Sequence, residues 1–175
     1  AARSDSFSRF TTAYALLARL PAPRLDTVTV AVLVHRAVGL ETRLGIRIEA
    51  GPDLTLRADP DQLEQLLINL ARNACDAALQ TGGSVAVGWR REGGALELWV
   101  DDEGAGLTNA SNLFVPFFTT KAGGAGIGIG LSRQIAEAHG GALTLDNRTD
   151  RRGCRAYLRL PIFTGSGAQP PAPSH

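Results

Sequence analysis

The most constraining feature of the chain is one long uninterrupted helical pattern. From Asp59 to Gln80 no glycine occurs, and no proline after Pro60. Asp59 is a residue type favoured at a helix N-cap, and Pro60 fits the first helical position, where a missing N–H costs nothing. At about 100° per residue, Leu63, Leu66, Leu67, Leu70, Ala74 and Ala77 share one arc, the core stripe. Gln62, Gln65, Asn69, Arg72, Asn73 and Asp76 share another. Asn69 and Asn73 are one turn apart and project the same way.

Shorter elements surround this helix. Val28–Glu41 reads as helical. Ile46–Ala50 and Leu54–Ala58 alternate about Gly51-Pro52-Asp53, which predicts a hairpin. Val85–Trp89 and Leu96–Val100 alternate about Glu92-Gly93-Gly94 and predict a second one. A helix is expected from Ile127 to His139, ended by Gly140-Gly141. Two strands, Ala142–Asn147 and Cys154–Leu160, close the pattern. Leu107 to Gly124 has no steady period and reads as a mobile loop. The tally predicts an α/β chain: an α+β two-layer sandwich with a mixed sheet of about five strands against three helices. Before it, Phe7, Phe10, Tyr14 and Leu17 mark a helix from Asp5 to Leu20, which Pro21 and Pro23 stop. The expected division is a helical segment and linker at 1–24, a domain at 25–163 and a disordered tail at 164–175.

Composition narrows the function classes. A chain of 175 residues suffices for one domain with a proper core. A formal net charge of +1 gives no bulk attraction to nucleic acid or anionic membrane. No apolar run approaches the roughly 18 residues of a membrane span, and Ala1-Ala2-Arg3-Ser4 opens no signal peptide. A cytoplasmic location is expected, without direct membrane contact; any anchor of a parent receptor would lie elsewhere. Cys75 and Cys154 have no metal-ligand spacing and read as reduced, buried thiols.

Three motifs carry chemistry. The carboxamides of Asn69 and Asn73 could be a solvated face, although Asn is a poorer helix former than Glu or Lys. They also suit Mg²⁺ held mainly by nucleotide phosphates, because the phosphates supply the charge and an amide oxygen completes the octahedron. Asp102-Glu103-Gly104-Ala105-Gly106 follows a strand in which Leu96, Leu98 and Val100 share a face. The alternation puts Asp102 on the core side and Asp101 on the solvent side. A carboxylate at a core position needs a donor, such as the exocyclic amine of adenine; a turn with solvated acids is the alternative. Gly123-Gly124-Ala125-Gly126-Ile127-Gly128-Ile129-Gly130-Leu131 enters a helix, where free N–H groups and the dipole favour phosphate. No Lys-Ser/Thr follows, so it is not a Walker loop. Ahead of it lies Phe114-Val115-Pro116-Phe117-Phe118-Thr119-Thr120-Lys121, an apolar lid or a simple anchor, with the only lysine of the chain at its end. A lysine serves as a mobile point charge for outer phosphates.

Asn-x-x-x-Asn, Asp-x-Gly-x-Gly, Phe-x-Pro-Phe and Gly-x-Gly-x-Gly, in this order, resemble the N, first-glycine, F and second-glycine boxes of histidine kinases. These belong to the Bergerat-fold superfamily shared with gyrase, mismatch-repair proteins and large heat-shock chaperones. With Arg19-Leu20-Pro21-Ala22-Pro23 and Glu137-Ala138-His139-Gly140-Gly141, the resemblance is to kinases of the nitrogen-regulation type. It implies that Asn73 coordinates Mg²⁺ with Asn69 in support, and that Asp102 reads adenine in a pocket shaped by Gly104 and Gly106. It implies that Gly124, Gly126, Gly128, Gly130 and Leu131 border the phosphates, with Thr120, Lys121 and Arg72 beside them. ATP and Mg²⁺ are the expected substrate and cofactor. The expected partners are a dimerisation and phosphoacceptor domain and a response regulator, in a homodimeric parent.

Where the ATPase members of that superfamily carry a water-activating glutamate, this chain has Asn69. An amide cannot take a proton at neutral pH, so transfer to another acceptor is favoured over hydrolysis. The acceptor histidine is not visible: His35 is followed by Arg36, His139 ends a helix and His175 lies in the tail. The expectation is a kinase catalytic domain that binds ATP but does not phosphorylate itself. The alternatives are a degenerate kinase acting as a nucleotide-regulated binding module, and a serine kinase or ATPase on the same fold.

Overall fold

The computed structural model describes residues 20–107 and 127–163. The expected N-terminal helix, the Phe-x-Pro-Phe stretch and the tail lie outside the described residues. The elements run β1 (Asp26–Thr29), α1 (Val30–Gly39), β2 (Ile46–Ile48), β3 (Thr55–Ala58), α2 (Pro60–Thr81), β4 (Val85–Glu92), β5 (Ala95–Asp102), α3 (Ile127–Ala138), β6 (Ala142–Asn147) and β7 (Cys154–Pro161). Five strands form one sheet in the order β2-β4-β5-β7-β6, and β1 and β3 form a separate pair. β2 runs parallel to β4, and the remaining pairs of the large sheet are antiparallel. The three helices make the second layer, with α2 packed on α1, α3 and β5, and α3 on β6. The expected two-layer sandwich is what the chain forms.

The helix-facing alternation supplies the core. Leu66, Leu70, Leu98, Val100, Ile135, Leu158 and Leu160 are all buried at 2% exposure or less. Asp59 caps α2 as expected, its carboxylate accepting from the Asp61 and Gln62 N–H groups. Gly82, in the left-handed region at φ 68, ends the helix.

Two expectations are corrected. The segment starting at Val28 is not all helix. Asp26–Thr29 pairs with β3, and the Val30 N–H is spent on the Leu54 carbonyl, so α1 begins only at Val30. The run Thr27-Val28-Thr29-Val30 is β-branched, which favours a strand. Ile46–Ala50 and Leu54–Ala58 are strands but not a hairpin: β2 pairs with β4, β3 with β1. Trp89 of β4 packs against the connection. Its ring fills the space a side chain on Gly51 would need, and its Nε1 donates to the Pro52 carbonyl at 2.9 Å.

The helix-free face of the sheet is not a plain solvated surface. Asp101 points there, as parity requires, but is only 5% exposed. Arg155 grips both its oxygens, at 2.6 and 2.7 Å. Glu97, 4% exposed, lies between Arg90 and Arg159.

Candidate nucleotide-binding site

A pocket of about 300 Å³ opens between α2, the end of β5 and the start of α3. Leu70, Val100, Ile129, Leu145 and Ala156 give it an apolar interior, and Asn73, Gln80 and Asp102 add polar groups. A mostly apolar pocket with a few convergent polar groups suits a small-molecule ligand.

Asp102 is 7% exposed and held in one orientation. Its Oδ1 accepts from the Gly104 N–H at 2.8 Å and the Cys154 N–H at 3.2 Å. Its neighbour Glu103 turns outward and fixes the loop from the other side. The Glu103 carboxylate accepts from Arg151 at 2.9 Å and from the Ser84 N–H and hydroxyl. Those bonds, Arg151 first, pull its pKa down to about 2. The Thr81 hydroxyl also donates to the Glu103 carbonyl at 2.8 Å. Gly104 is required by space: a Cβ there would lie 2.7 Å from the Ala77 Cβ and 2.9 Å from Asp102 Oδ1. The loop therefore lies directly on α2, with Asp102 and Asn73 bordering the same pocket.

Asn69 and Asn73 part company. Asn73 lines the pocket, whereas Asn69 is turned to α3. Asn69 Nδ2 donates to the Gly128 carbonyl at 3.3 Å and Ser132 Oγ at 3.4 Å. Its Oδ1 accepts from Gln65 at 3.0 Å. A Cβ on Gly128 would stand at ordinary contact distance, 3.6 Å, from the Asn69 carboxamide carbon. Gly130 is buried in α3, and Leu131 packs against the core. Neither borders the pocket, which takes Ile129, just before them, instead. Arg72 also lies away from it, exposed beside a smaller hollow with Leu40, Glu41 and Ile68. Thr120, Lys121, Gly124 and Gly126 lie outside the described residues.

Sequence reasoning did not single out Ile129, Cys154 and Leu145. The signal was present for Cys154, whose parity in β7 matches that of Ala156 and Leu158 on the core face. It also missed His139 as a structural tie. His139 is buried, its Nε2 accepts the Asp59 N–H at 3.0 Å, and its Nδ1 meets the Ile135 carbonyl at 2.8 Å. This joins the end of α3 to the start of α2. Burial opposes ionisation of Asp59, yet N–H bonds from Arg24, Gln62 and Asp61 outweigh it and hold the carboxyl below its usual range.

The donor set bears on a metal. Among the described residues no group of three or more His, Cys, Asp or Glu side chains could hold one. The neutral amide of Asn73 fits a cation that arrives with its own anionic ligands. No helix among the described residues is long and apolar enough to cross a membrane.

A family profile described as "Histidine kinase-, DNA gyrase B-, and HSP90-like ATPase" matches residues 58–164. Sensor histidine kinase ZraS of Escherichia coli O157:H7 is 37% identical over 109 residues, 61% of this chain and 23% of that protein. Alginate biosynthesis sensor protein KinB of Pseudomonas aeruginosa is 30% identical over 90% of this chain and 27% of its own length. Nitrogen regulation protein NtrY of Azorhizobium caulinodans is 30% identical over 95% of this chain and 22% of its own. The chain thus spans about a quarter of the length of these relatives. Among solved structures, full-length ShkA in complex with AMPPNP aligns with TM-score 0.77 at 25% identity, covering 93% of this chain and 37% of that one. The mycobacterial sensor histidine kinase MprB aligns with TM-score 0.70 at 24% identity, covering 79% of this chain and 98% of that one.

Proposed function

Because the chain belongs to the histidine kinase-, DNA gyrase B- and HSP90-like ATPase family, we propose that it is the catalytic domain of a two-component sensor histidine kinase. It binds Mg-ATP and passes the γ-phosphoryl group to a histidine outside residues 20–163. The observation that carries this reading is Asp102, fixed by two main-chain N–H groups at the wall of an apolar pocket.

In this reading the Asp102 carboxylate accepts the exocyclic amine of adenine, while Val100, Ile129 and Ala156 enclose the base. Gly104 and Gly106 keep the loop thin enough for the base to approach. Asn73 would hold Mg²⁺ through its carboxamide oxygen, and the ion would supply charge neutralisation at the phosphates. Asn69 supports α3 through Gly128 and so orients the start of the helix toward the phosphates. Gly124, Gly126, Gly128 and Gly130 offer N–H groups there, and Thr120 and Lys121 counter the charge that develops on the transferred group. Arg72, set beside Glu41, acts at most through the wider field. Asn69 cannot take a proton, so water is not activated and a neutral imidazole is the suitable nucleophile. The partners are then a phosphoacceptor and dimerisation domain and a response regulator.

The test is calorimetric titration of a non-hydrolysable ATP analogue with Mg²⁺ into the chain and into Asp102→Asn. Binding by the unaltered chain that Asp102→Asn abolishes is the expected result. Equal binding by both, or none by either, would remove the reading.

A further inference from the structure

The wall of the pocket beyond Asp102 is held from outside by the end of β6. Asn147 accepts the Leu107 N–H on Oδ1 at 2.6 Å and donates Nδ2 to the Leu107 carbonyl at 3.2 Å. One side-chain amide thus pairs with both main-chain groups of a single residue, as a neighbouring strand would. Gly106 and Leu107 line the pocket, whereas Asn147 does not. The approach is close: a Cβ on Gly106 would lie 2.8 Å from Asn147 Oδ1. Gly106 also has φ +87, in the region that disfavours other residues. Glycine at 106 is therefore required by Asn147 as much as by any ligand.

Other bonds hold the earlier part of this loop. Arg151 holds Glu103, Arg148 reaches the Asp102 carbonyl at 3.4 Å, and the Cys154 N–H meets Asp102 Oδ1. All act on Asp102 and Glu103, at the end of β5. Asn147 acts on Leu107, five residues past the end of β5 and outside every described strand.

We infer that Asn147 is a positioning residue for nucleotide binding: it fixes Gly106 and Leu107 so that the pocket wall is set before the ligand arrives. The inference rests on the nucleotide reading above. Asn147 is exposed, so its replacement leaves no buried cavity and the variants should fold.

The experiment titrates the same ATP analogue into the unaltered chain, Asp102→Asn, Asn147→Ala and Asn147→Asp, with a melting curve and amide exchange at Leu107 for each. Asn147→Ala removes both bonds and should weaken binding roughly tenfold, with faster exchange of the Leu107 amide and an unchanged melting temperature. Asn147→Asp keeps the acceptor for the shorter bond and should bind within about threefold of the unaltered chain. Binding by Asn147→Ala equal to the unaltered chain would overturn the role of Asn147 alone, provided Asp102→Asn has lost binding. Equal losses in both Asn147 variants with a lowered melting temperature would make the residue a structural tie and also overturn it. No binding by the unaltered chain would remove the nucleotide reading and this role with it.

Discussion

Gly104→Ala tests how closely the loop carrying Asp102 is seated on α2. The new Cβ would stand 2.7 Å from the Ala77 Cβ, 2.9 Å from Asp102 Oδ1 and 3.0 Å from the Ala77 carbonyl carbon. Ordinary contact begins near 3.4 Å, so the loop must lift by about 0.7 Å. α2 cannot yield, because Ala74 and Ala78 beside Ala77 are buried. Overpacking of this kind costs about 1–3 kcal/mol, or a melting temperature lower by roughly 3–10 °C for a chain of this size. The same lift stretches the 2.8 Å bond from the Gly104 N–H to Asp102. A hydrogen bond to a charged group is worth about 1.5–3 kcal/mol, so analogue affinity should fall between about tenfold and a hundredfold. Thermal melting and calorimetry read the two effects. Ala77→Gly costs about 1 kcal/mol alone but removes the nearest obstacle, so the double variant should be more stable than the sum of the single losses implies. Gly94→Ala, with nothing within 4 Å of the new Cβ, is the control. Gly104→Ala melting and binding like the unaltered chain, or losses that simply add with Ala77→Gly, would refute the seating argument.

Two further predictions concern single side chains. Cys154 lines the pocket, while Cys75 is fully buried with burial pushing its thiol up to about 11. A small alkylating reagent should modify Cys154 first, and the ATP analogue should slow it; mass spectrometry showing equal labelling, or no protection, counts against the pocket geometry. The Glu103 carboxyl is lowered to about 2 by Arg151 and Ser84. A depressed acid stabilises the fold above its unfolded pKa of about 4.3 and loses that contribution as pH falls toward 2. Glu103→Gln should therefore melt below the unaltered chain at pH 7 and converge with it near pH 2; a constant gap across that range would dissociate Glu103 from the acid response.

Much of this arrangement is legible in the residue order. The cap at Asp59, the extent of α2, the β4–β5 pair, the strands β6 and β7 and the parity of Asp102 follow from local pattern, because each depends on neighbours within a few residues. What fails is pairing at a distance. Alternation in Ile46–Ala50 marks a strand but carries no partner; β2 pairs with β4, whose Trp89 also bonds the Pro52 carbonyl. The environment of Asp101 is hidden for the same reason, since Arg155 is supplied by β7. In the site, the pair Asn69 and Asn73 looks equivalent on a helical wheel. The Gly128 carbonyl and Ser132 hydroxyl of α3 take one amide, while the other borders the pocket.

The first turn of α2 has a mechanical consequence. Arg24 donates its N–H to Asp59 Oδ2 at 2.9 Å, and Gln62 reaches the Pro21 carbonyl at 2.9 Å. The chain arriving at Leu20 is thus strapped to one end of a rod. Asn73 sits on that rod about 21 Å away, at 1.5 Å of rise per residue. Residues 21–24 therefore share a rigid element with the amide beside the pocket, and the bond between His139 and Asp59 ties the far end of α3 to the same end of that rod.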